Sequence, residues 1–151
     1  MSHPPRIRIW SDGSCAPNPG PGGWGAIIER DGQREEAFGG EPDTTNNIME
    51  MTAAIEALRR TPPGAHVTIT TDSQYLQLGI SQWMKAWKRK NWRKSDGKPV
   101  LNQAQWKELD ALVGERHVSW AWVPSHTGHP ENERCDELAR IGRTALGRHK
   151  S

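Results

Sequence analysis

Residues 6–14, Arg-Ile-Arg-Ile-Trp-Ser-Asp-Gly-Ser, decide the fold, because they predict a buried strand that runs into a carboxylate. Ile7 and Ile9 alternate with more polar or aromatic neighbours, which is the period of two expected of a strand. Asp12 stands where we expect the strand to give way to a turn at Gly13. An acid at the end of a core strand is costly to bury unless a cation or hydrogen-bond donors accompany it. The stretch therefore predicts a functional carboxylate at this strand end.

Length and composition favour one globular domain over residues 1–151. Only 34% of the residues are hydrophobic, but eight tryptophans supply large buried areas. There is no apolar run of about eighteen residues and residues 1–6 are polar, so we expect neither a membrane helix nor a signal peptide. Cys15 and Cys135 show no paired spacing, which favours reduced thiols over a zinc site or a disulfide framework. These features predict a cytoplasmic protein.

Positive charge is concentrated in residues 81–98. This stretch holds seven basic residues against Asp96 alone, a local charge of +6 in a chain of net charge +2, so the remainder carries −4. Three tryptophans lie among these cations, at Trp83, Trp87 and Trp92. Aromatic rings can pack on sugars or bases while the cations neutralise phosphates, so we favour nucleic-acid binding. Core packing of the first two rings, four residues apart, is the plainer alternative.

The remaining periodicity predicts strands alternating with helices. Asp31-Gly32 marks a hairpin turn between a strand over 24–28 and a strand over 34–40, with a loop over 41–45. Further along we expect a helix over 46–60, a strand over 67–71, a short helix over 74–78, a helix over 102–113, a strand over 117–123, a helix from Pro130 and a flexible tail over 144–151.

Three further acids stand in settings like that of Asp12. Glu50 falls within the apolar arc of the first helix, Asp72 ends a strand, and Asp136 lies beside the packing stripe of the last helix. Each has a plain structural explanation, respectively a helix dipole, a helix cap and an ion pair with Arg140. Four such explanations are needed at once, however, and ligands of open α/β sheets bind at the carboxyl ends of strands. We therefore interpret the four acids as one cluster.

Such a cluster would repel itself unless divalent cations were shared among its members. Carboxylate and water ligands suit magnesium or manganese rather than zinc. Two ions about 4 Å apart can stabilise both the attacking and the leaving oxygen of an in-line phosphoryl displacement. The acids therefore predict metal-dependent cleavage of phosphodiesters.

Together these features resemble the type 1 ribonucleases H in their bacterial form, in order and in spacing, from residue 6 to about residue 143. The resemblance implies an α/β ribonuclease H-like fold with a five-stranded mixed sheet in order 3-2-1-4-5, strands 1–3 antiparallel and strands 1, 4 and 5 parallel, flanked by helices. It also implies endonucleolytic cleavage of the RNA strand of RNA/DNA hybrids. The segments that carry it are Ser-Asp-Gly-Ser-Cys-Ala-Pro-Asn-Pro-Gly-Pro-Gly-Gly-Trp-Gly-Ala (11–26), Thr-Thr-Asn-Asn-Ile-Met-Glu (44–50), Thr-Asp-Ser-Gln (71–74), the basic stretch and His-Thr-Gly-His-Pro-Glu-Asn-Glu-Arg-Cys-Asp-Glu-Leu-Ala-Arg (126–140).

The resemblance also implies roles for individual residues. Four residues look like metal-binding catalytic acids, and these are Asp12, Glu50, Asp72 and Asp136. The resemblance implies that they bind two Mg²⁺ ions and that Mn²⁺ can substitute. His126 looks like the loop histidine that aids proton transfer or product release, although a loop histidine without a role is the alternative. Contacts to the RNA strand are implied for Cys15, Asn18 and Gln74. Contacts to the DNA strand are implied for Thr45, Asn46, Trp83 and Asn102. The handle that grips the hybrid, at about 81–99, includes Trp87, Lys88, Arg89, Lys90 and Trp92.

We expect a monomer whose partner is an RNA/DNA hybrid, with little sequence preference because recognition uses backbone shape and the 2′-hydroxyl. The resemblance implies 5′-phosphate and 3′-hydroxyl ends. The glycine-rich run at 20–25 is not followed by Gly-Lys-Ser/Thr, so no nucleotide cofactor is expected. Two positions depart from the family pattern: Ser125 replaces a common glycine, and Ile48 replaces a frequent arginine.

Two other classes of protein compete with this interpretation. Transposases, integrases and junction-resolving nucleases share the fold, but they usually carry additional domains, for which 151 residues leave no room. A non-catalytic hybrid-binding module is the second alternative. The presence of all four acids argues against it.

Overall fold

The computed structural model describes residues 5–124 and 129–148. Within these ranges the strands form one mixed sheet in the order β3-β2-β1-β4-β5. The strands are β1 (Arg6–Cys15), β2 (Gly20–Arg30), β3 (Gln33–Thr44), β4 (His66–Thr71) and β5 (His117–Trp122). The helices are α1 (Asn46–Arg59), α2 (Gln74–Leu78), α3 (Met84–Arg89), α4 (Gln103–Gly114) and α5 (Pro130–Arg148), and a π-helical segment, Gly79–Trp83, joins α2 to α3.

The pairing directions confirm the predicted topology. β2 pairs antiparallel with both β1 and β3, while β4 pairs parallel with both β1 and β5. The hairpin between β2 and β3 turns at Asp31 and Gly32, whose φ angles are 53° and 78°. Positive φ at both central residues gives the tight turn that matches the twist of the flanking strands. The Asp-Gly signal therefore predicted this turn correctly.

β1 is longer than the sequence predicted, and Asp12 lies inside it rather than at its end. Parallel pairing with β4 stops at Trp10, but antiparallel pairing with β2 continues to Cys15. β2 begins at Gly20, four residues before the strand predicted over 24–28. The prediction was wrong because β2, the next strand along the chain, satisfies the backbone of β1 after β4 has ended.

β3 also exceeds its predicted length and runs to Thr44 through the expected loop over 41–45. Thr45 then caps α1, because its Oγ1 accepts a hydrogen bond from the backbone N–H of Ile48 at 3.1 Å. The cap satisfies one of the N–H groups that have no partner within the helix. α1 consequently begins at Asn46, where the sequence predicted it.

The final helix corrects another expectation. Residues 144–148, which we expected to be flexible, continue α5, and residues 149–151 lie outside the described part of the chain. Ala145 and Leu146 are strong helix formers, which favours this extension. In the described ranges, none of the helices is both long and apolar enough to span a membrane.

The main core lies between the sheet and the helices α1 and α4. Ile9 and Ile69, on neighbouring strands, are fully buried, and so is Trp106 of α4. α5 covers the opposite face of the sheet, where Cys135 and Leu138 pack in a smaller cluster with side chains of β1 and β2. The packing stripe predicted for the last helix is thereby confirmed.

Two glycines of β2 let α5 approach the sheet at backbone distance. A Cβ atom at Gly23 would lie 2.0 Å from the carbonyl oxygen of Ala139, and one at Gly25 would lie 2.6 Å from that of Cys135. Neither partner is a flexible side chain, so neither can move aside without shifting the helix. The position of α5 over β1 and β2 depends on these two residues.

We expect Gly23→Ala to lower the free energy of unfolding by at least about 2 kcal/mol, because the added methyl group overpacks a backbone contact. Denaturant unfolding followed by circular dichroism measures this change. Gly114→Ala is the matched control, since a Cβ atom there would meet no other atom within 4 Å and the helical position favours alanine. Equal stability of the two variants would contradict the close packing of α5.

Candidate active site

Three carboxylates converge where β1, α1 and the end of β4 meet. Asp12 comes from β1, Glu50 from α1, and Asp72 directly follows β4. One oxygen atom of each carboxylate lies within 4.8 Å of the other two. All three side chains are half-buried, so they remain accessible from the edge of the sheet. Oxygen-only donors at this spacing suit a hard divalent cation such as Mg²⁺ or Mn²⁺.

Gly13 brings Glu50 to this position. A Cβ atom at Gly13 would lie 2.3 Å from the carbonyl carbon of Met49 and 2.4 Å from the nitrogen of Glu50, so α1 contacts the backbone of β1 here. Glu50 follows the first turn of α1, which contains no acidic residue. The helix-dipole explanation for this acid therefore does not hold, because that effect fades beyond the first turn.

Ser73 is a site residue that sequence reasoning missed. Its Oγ donates a hydrogen bond to Oε2 of Glu50 at 2.6 Å and accepts one from the backbone N–H of Leu76 at 3.1 Å. Ser73, and not Asp72, therefore caps α2, which leaves the Asp72 carboxylate available to the cluster. A serine at a helix entry signals a cap, but its bond to Glu50 depends on a contact between residues 23 positions apart.

The surroundings of Asp12 and Glu50 favour the protonated form of both carboxyl groups when no cation is bound. Burial raises the pKa of Asp12 to about 8, and the charges of Asp72, Asp136 and Glu50 add to this effect. Burial likewise raises the pKa of Glu50 to about 7, against the opposing hydrogen bond from Ser73. A divalent cation would compensate these charges and displace the protons.

The two remaining predicted catalytic residues are Asp136 and His126. Asp136 is near enough for its charge to act on Asp12, but it lies outside the group of three and pairs with Arg140 at 3.1 Å. Its side chain is 49% exposed, so the pair is a weak one. His126 and the neighbouring Ser125 lie outside the described residues.

Several predicted contacts to nucleic acid form one hydrogen-bonded group at the start of α1. The backbone N–H of Cys15 donates to Oδ1 of Asn46 at 2.5 Å, and the backbone N–H of Asn46 donates to Oδ1 of Asn18 at 3.2 Å. The side chain of Cys15 is buried, with its sulfur within 3.4 Å of three backbone carbonyl oxygens. The structure thus fixes the relative positions of these residues, with Thr45 beside them as the cap of α1.

A second group forms around Tyr75, a residue to which the sequence analysis gave no role. Its hydroxyl accepts hydrogen bonds from Nδ2 of Asn102 at 3.0 Å and from Nε1 of Trp106 at 3.2 Å, and its ring contacts Trp83 edge-on. Gln74, the residue before it, is exposed at the start of α2. Tyr75 therefore links two of the predicted DNA contacts to the core.

The tryptophans of the basic stretch are partly structural. Trp83, Trp87 and Trp92 are half-buried, pack against the core and form a chain of tilted rings with centroids 5.7 and 6.4 Å apart. The core-packing alternative therefore describes much of their surface. The cations beside them are exposed, and these are Lys88, Arg89 and Lys90.

Fold and site together define an α/β protein with a mixed sheet and a cluster of acids at the carboxyl edge of that sheet. The basic stretch over residues 81–98 carries the opposite charge. The family model for RNase H matches residues 4–144. A ribonuclease H from Thiobacillus denitrificans is 56% identical over 136 residues, which cover 90% of this chain and 92% of that protein.

Solved structures agree. LC9-RNase H1, described as a type 1 RNase H with the type 2 active-site motif, is 32% identical with a TM-score of 0.85 and covers 96% of this chain and 75% of that one. LC11-RNase H1, solved in complex with RNA/DNA hybrid, shares the fold at 23% identity with a TM-score of 0.69, covering 93% of this chain and 98% of that one. The chain therefore belongs to the ribonuclease H family, whose members are hydrolases that cleave RNA in RNA/DNA hybrids.

The raised pKa values predict how the stability of the metal-free protein depends on pH. In the unfolded chain the carboxyl of Asp12 ionises near its ordinary pKa of 3.8, whereas in the folded protein its pKa is raised to about 8. The unfolded state therefore binds fewer protons in this window, and stability falls as the pH rises from about 4 to 8, by up to about 1 kcal/mol per pH unit.

Denaturant unfolding in chelator across this pH range measures the slope. Asp12→Asn should reduce the slope to the part that comes from Glu50 and stabilise the metal-free protein above pH 7, because the amide carries no charge to bury. An unchanged slope in this variant would contradict the raised pKa of Asp12.

Proposed function

We propose that this chain is an endonuclease that hydrolyses the RNA strand of RNA/DNA hybrids with two divalent metal ions, leaving 5′-phosphate and 3′-hydroxyl ends. Mg²⁺ is the proposed metal, and Mn²⁺ can substitute. The observation that carries the proposal is the convergence of Asp12, Glu50 and Asp72 with no His or Cys donor in the group. The complex of the structurally similar LC11-RNase H1 with RNA/DNA hybrid supports the choice of substrate.

The acids would hold the metal ions, which supply charge stabilisation of the attacking and leaving oxygens. Asp12, Glu50 and Asp72 are the proposed shared ligands, and Ser73 orients the carboxylate of Glu50. Asp136 would join them by giving up its exposed pair with Arg140. His126 is proposed to assist proton transfer or product release.

The surface around the acids would read the backbone of the hybrid. Contacts to the RNA strand near its 2′-hydroxyls are proposed for Cys15, Asn18 and Gln74, and contacts to the DNA strand for Thr45, Asn46, Trp83 and Asn102. The handle would add affinity through the charges of Lys88, Arg89 and Lys90. Trp87 and Trp92 would hold it in place by packing against the core. Because such contacts reach phosphates and sugars, we expect little sequence preference. A single domain, a cytoplasmic location and a monomeric state stay predictions of the sequence.

The proposal is tested by offering the protein strand-labelled RNA/DNA hybrid, RNA duplex, DNA duplex and single-stranded RNA, each with magnesium and with chelator. We expect cleavage of the RNA strand of the hybrid alone, in magnesium only, with 5′-phosphate and 3′-hydroxyl ends on the products. Binding of hybrid without cleavage in either magnesium or manganese would instead identify a non-catalytic hybrid-binding module.

Substitution of one acid tests the assignment of the metal ligands. Asp12→Asn should lower the cleavage rate at least about 100-fold, because a ligand to the metal is lost. Its affinity for hybrid in chelator should be unchanged near pH 7, where metal-free Asp12 is mostly protonated, and higher above pH 8, where the substitution removes a negative charge near the phosphates. Asp31→Asn is the matched control, since it makes the same change in an exposed turn whose positive φ asparagine also tolerates. Comparable loss in both variants would contradict the assignment.

The handle is tested through the salt dependence of binding. Replacing Lys88, Arg89 and Lys90 together by glutamine should weaken hybrid binding and reduce the slope of log K against log salt by about 2. Lys88 already pairs with Asp110 at 3.0 Å and is expected to contribute least. The maximal cleavage rate should be preserved. An unchanged slope, equal to that of the control Arg30→Gln at the other end of the sheet, would mean that the handle does not contact phosphates.

A further inference from the structure

Arg143 contacts the strand that carries Asp12, although nothing in the sequence pattern assigned it a role. Its Nη1 donates a hydrogen bond to Oγ of Ser14 at 3.0 Å, and its side chain is half-buried. Ser14 is two residues beyond Asp12, on the same face of β1. Arg143 is also seven residues beyond Asp136, nearly two full turns along the same face of α5. Two elements of the site therefore converge on this guanidinium.

The ion pairs of α5 set Arg143 apart from its neighbours. Arg134 pairs with Glu36 at 2.7 Å and Arg140 pairs with Asp136 at 3.1 Å, whereas Arg143 makes no ion pair with any residue that the structure describes. Arginine can bury its apolar stem while its guanidinium stays accessible, so the counter-ion of Arg143 can come from a ligand. The group has five N–H donors. Its bond to Ser14 uses one and leaves the others for a ligand.

Arg143 also makes no ion pair with the acids among the residues that the structure describes, where Asp136 pairs with Arg140 instead. The backbone of Arg143 is held in place by Gly23, where a Cβ atom would lie 2.6 Å from the Arg143 nitrogen. Close packing thus fixes the backbone of Arg143, and the bond to Ser14 directs its guanidinium toward the strand that carries Asp12.

The spacing suits a nucleic-acid backbone. Seven residues of helix span about 10 Å. Each strand of a duplex carries a phosphate about every 3.4 Å along the axis, so a hybrid with one phosphodiester at the acids presents neighbouring phosphates within that reach. The planar fork of arginine binds phosphate oxygens in pairs. We propose that Arg143 binds a backbone phosphate of the hybrid close to the cleaved bond, with Ser14 orienting its guanidinium; this inference rests on the proposed function.

The experiment measures binding of intact hybrid in chelator between about 50 and 300 mM salt, together with steady-state cleavage in magnesium. Arg143→Ala should weaken binding about 5- to 10-fold at the lower salt and reduce the salt slope by about 1. Its KM should rise while kcat stays near that of the unaltered protein. Arg143→Lys should restore the slope but only part of the affinity, because lysine keeps the charge without the fork.

Two controls separate binding from structure. Ser14→Ala removes the hydrogen bond but keeps the cation, so it should leave the salt slope unchanged. Arg134→Ala removes an arginine of the same helix that pairs with Glu36, and it should change neither binding nor slope. Denaturant unfolding of each variant identifies any loss that comes from folding.

Equal losses in Ser14→Ala and Arg143→Ala with an unchanged slope would overturn the inference and make Arg143 a structural tether. A normal affinity and slope in Arg143→Ala, while the unaltered protein cleaves hybrid, would overturn it while leaving the proposed function intact. If the unaltered protein binds hybrid without cleaving it, the proposed function fails, yet the slope change in Arg143→Ala would still support the phosphate contact.

Discussion

Burial of closely spaced and mutually repelling carboxylates is the constraint on which the rest of this structure depends. Asp12, Glu50 and Asp72 are held within 4.8 Å of one another in a half-buried setting, an arrangement that raises the pKa values of the first two toward or above neutrality. The fold imposes this closeness through backbone contacts. Gly13 places β1 against α1, and Ser73 fixes the carboxylate of Glu50 while capping the next helix.

The surroundings of the acids explain how an unfavourable cluster can serve a purpose. Lys88 and its basic neighbours lie on α3 and just beyond it, apart from the acids, so they attract phosphates without neutralising the carboxylates. Buried and half-buried tryptophans, with Tyr75, connect that basic extension to the core. The residues that attract a polyanion and the acids of the site therefore lie on different elements of the molecule. Divalent cations are the natural link between the two, because they bind carboxylates and phosphate oxygens alike.

The sequence predicted the elements well where the pattern is local. The Asp31-Gly32 turn, the start of α1 at Asn46 and the packing stripe of α5 follow from short-range spacing. The strand order came from resemblance to a family, since periodicity alone does not determine which strands are neighbours. The four acids were identified because four separate structural explanations would otherwise have been needed at once. The sequence did not predict that β1 continues past Asp12, because the run rich in glycine and proline after it indicated a turn rather than a second pairing strand. The bonds from Ser73 to Glu50 and from Arg143 to Ser14 join residues 23 and 129 positions apart, so they form only when the helices have packed onto the sheet.

The number of protons released when Mg²⁺ binds is the measurement that bears most closely on the carboxylate cluster. Calorimetric titration of the metal-free protein at pH 7.5, repeated in buffers of different ionisation enthalpy, measures it. With pKa values of about 8 for Asp12 and about 7 for Glu50, we expect about one proton to be released per protein molecule, and fewer in Asp12→Asn. Binding of Mg²⁺ with no proton release, or no binding at all, would contradict the claim that the fold holds these carboxylates together for a cation.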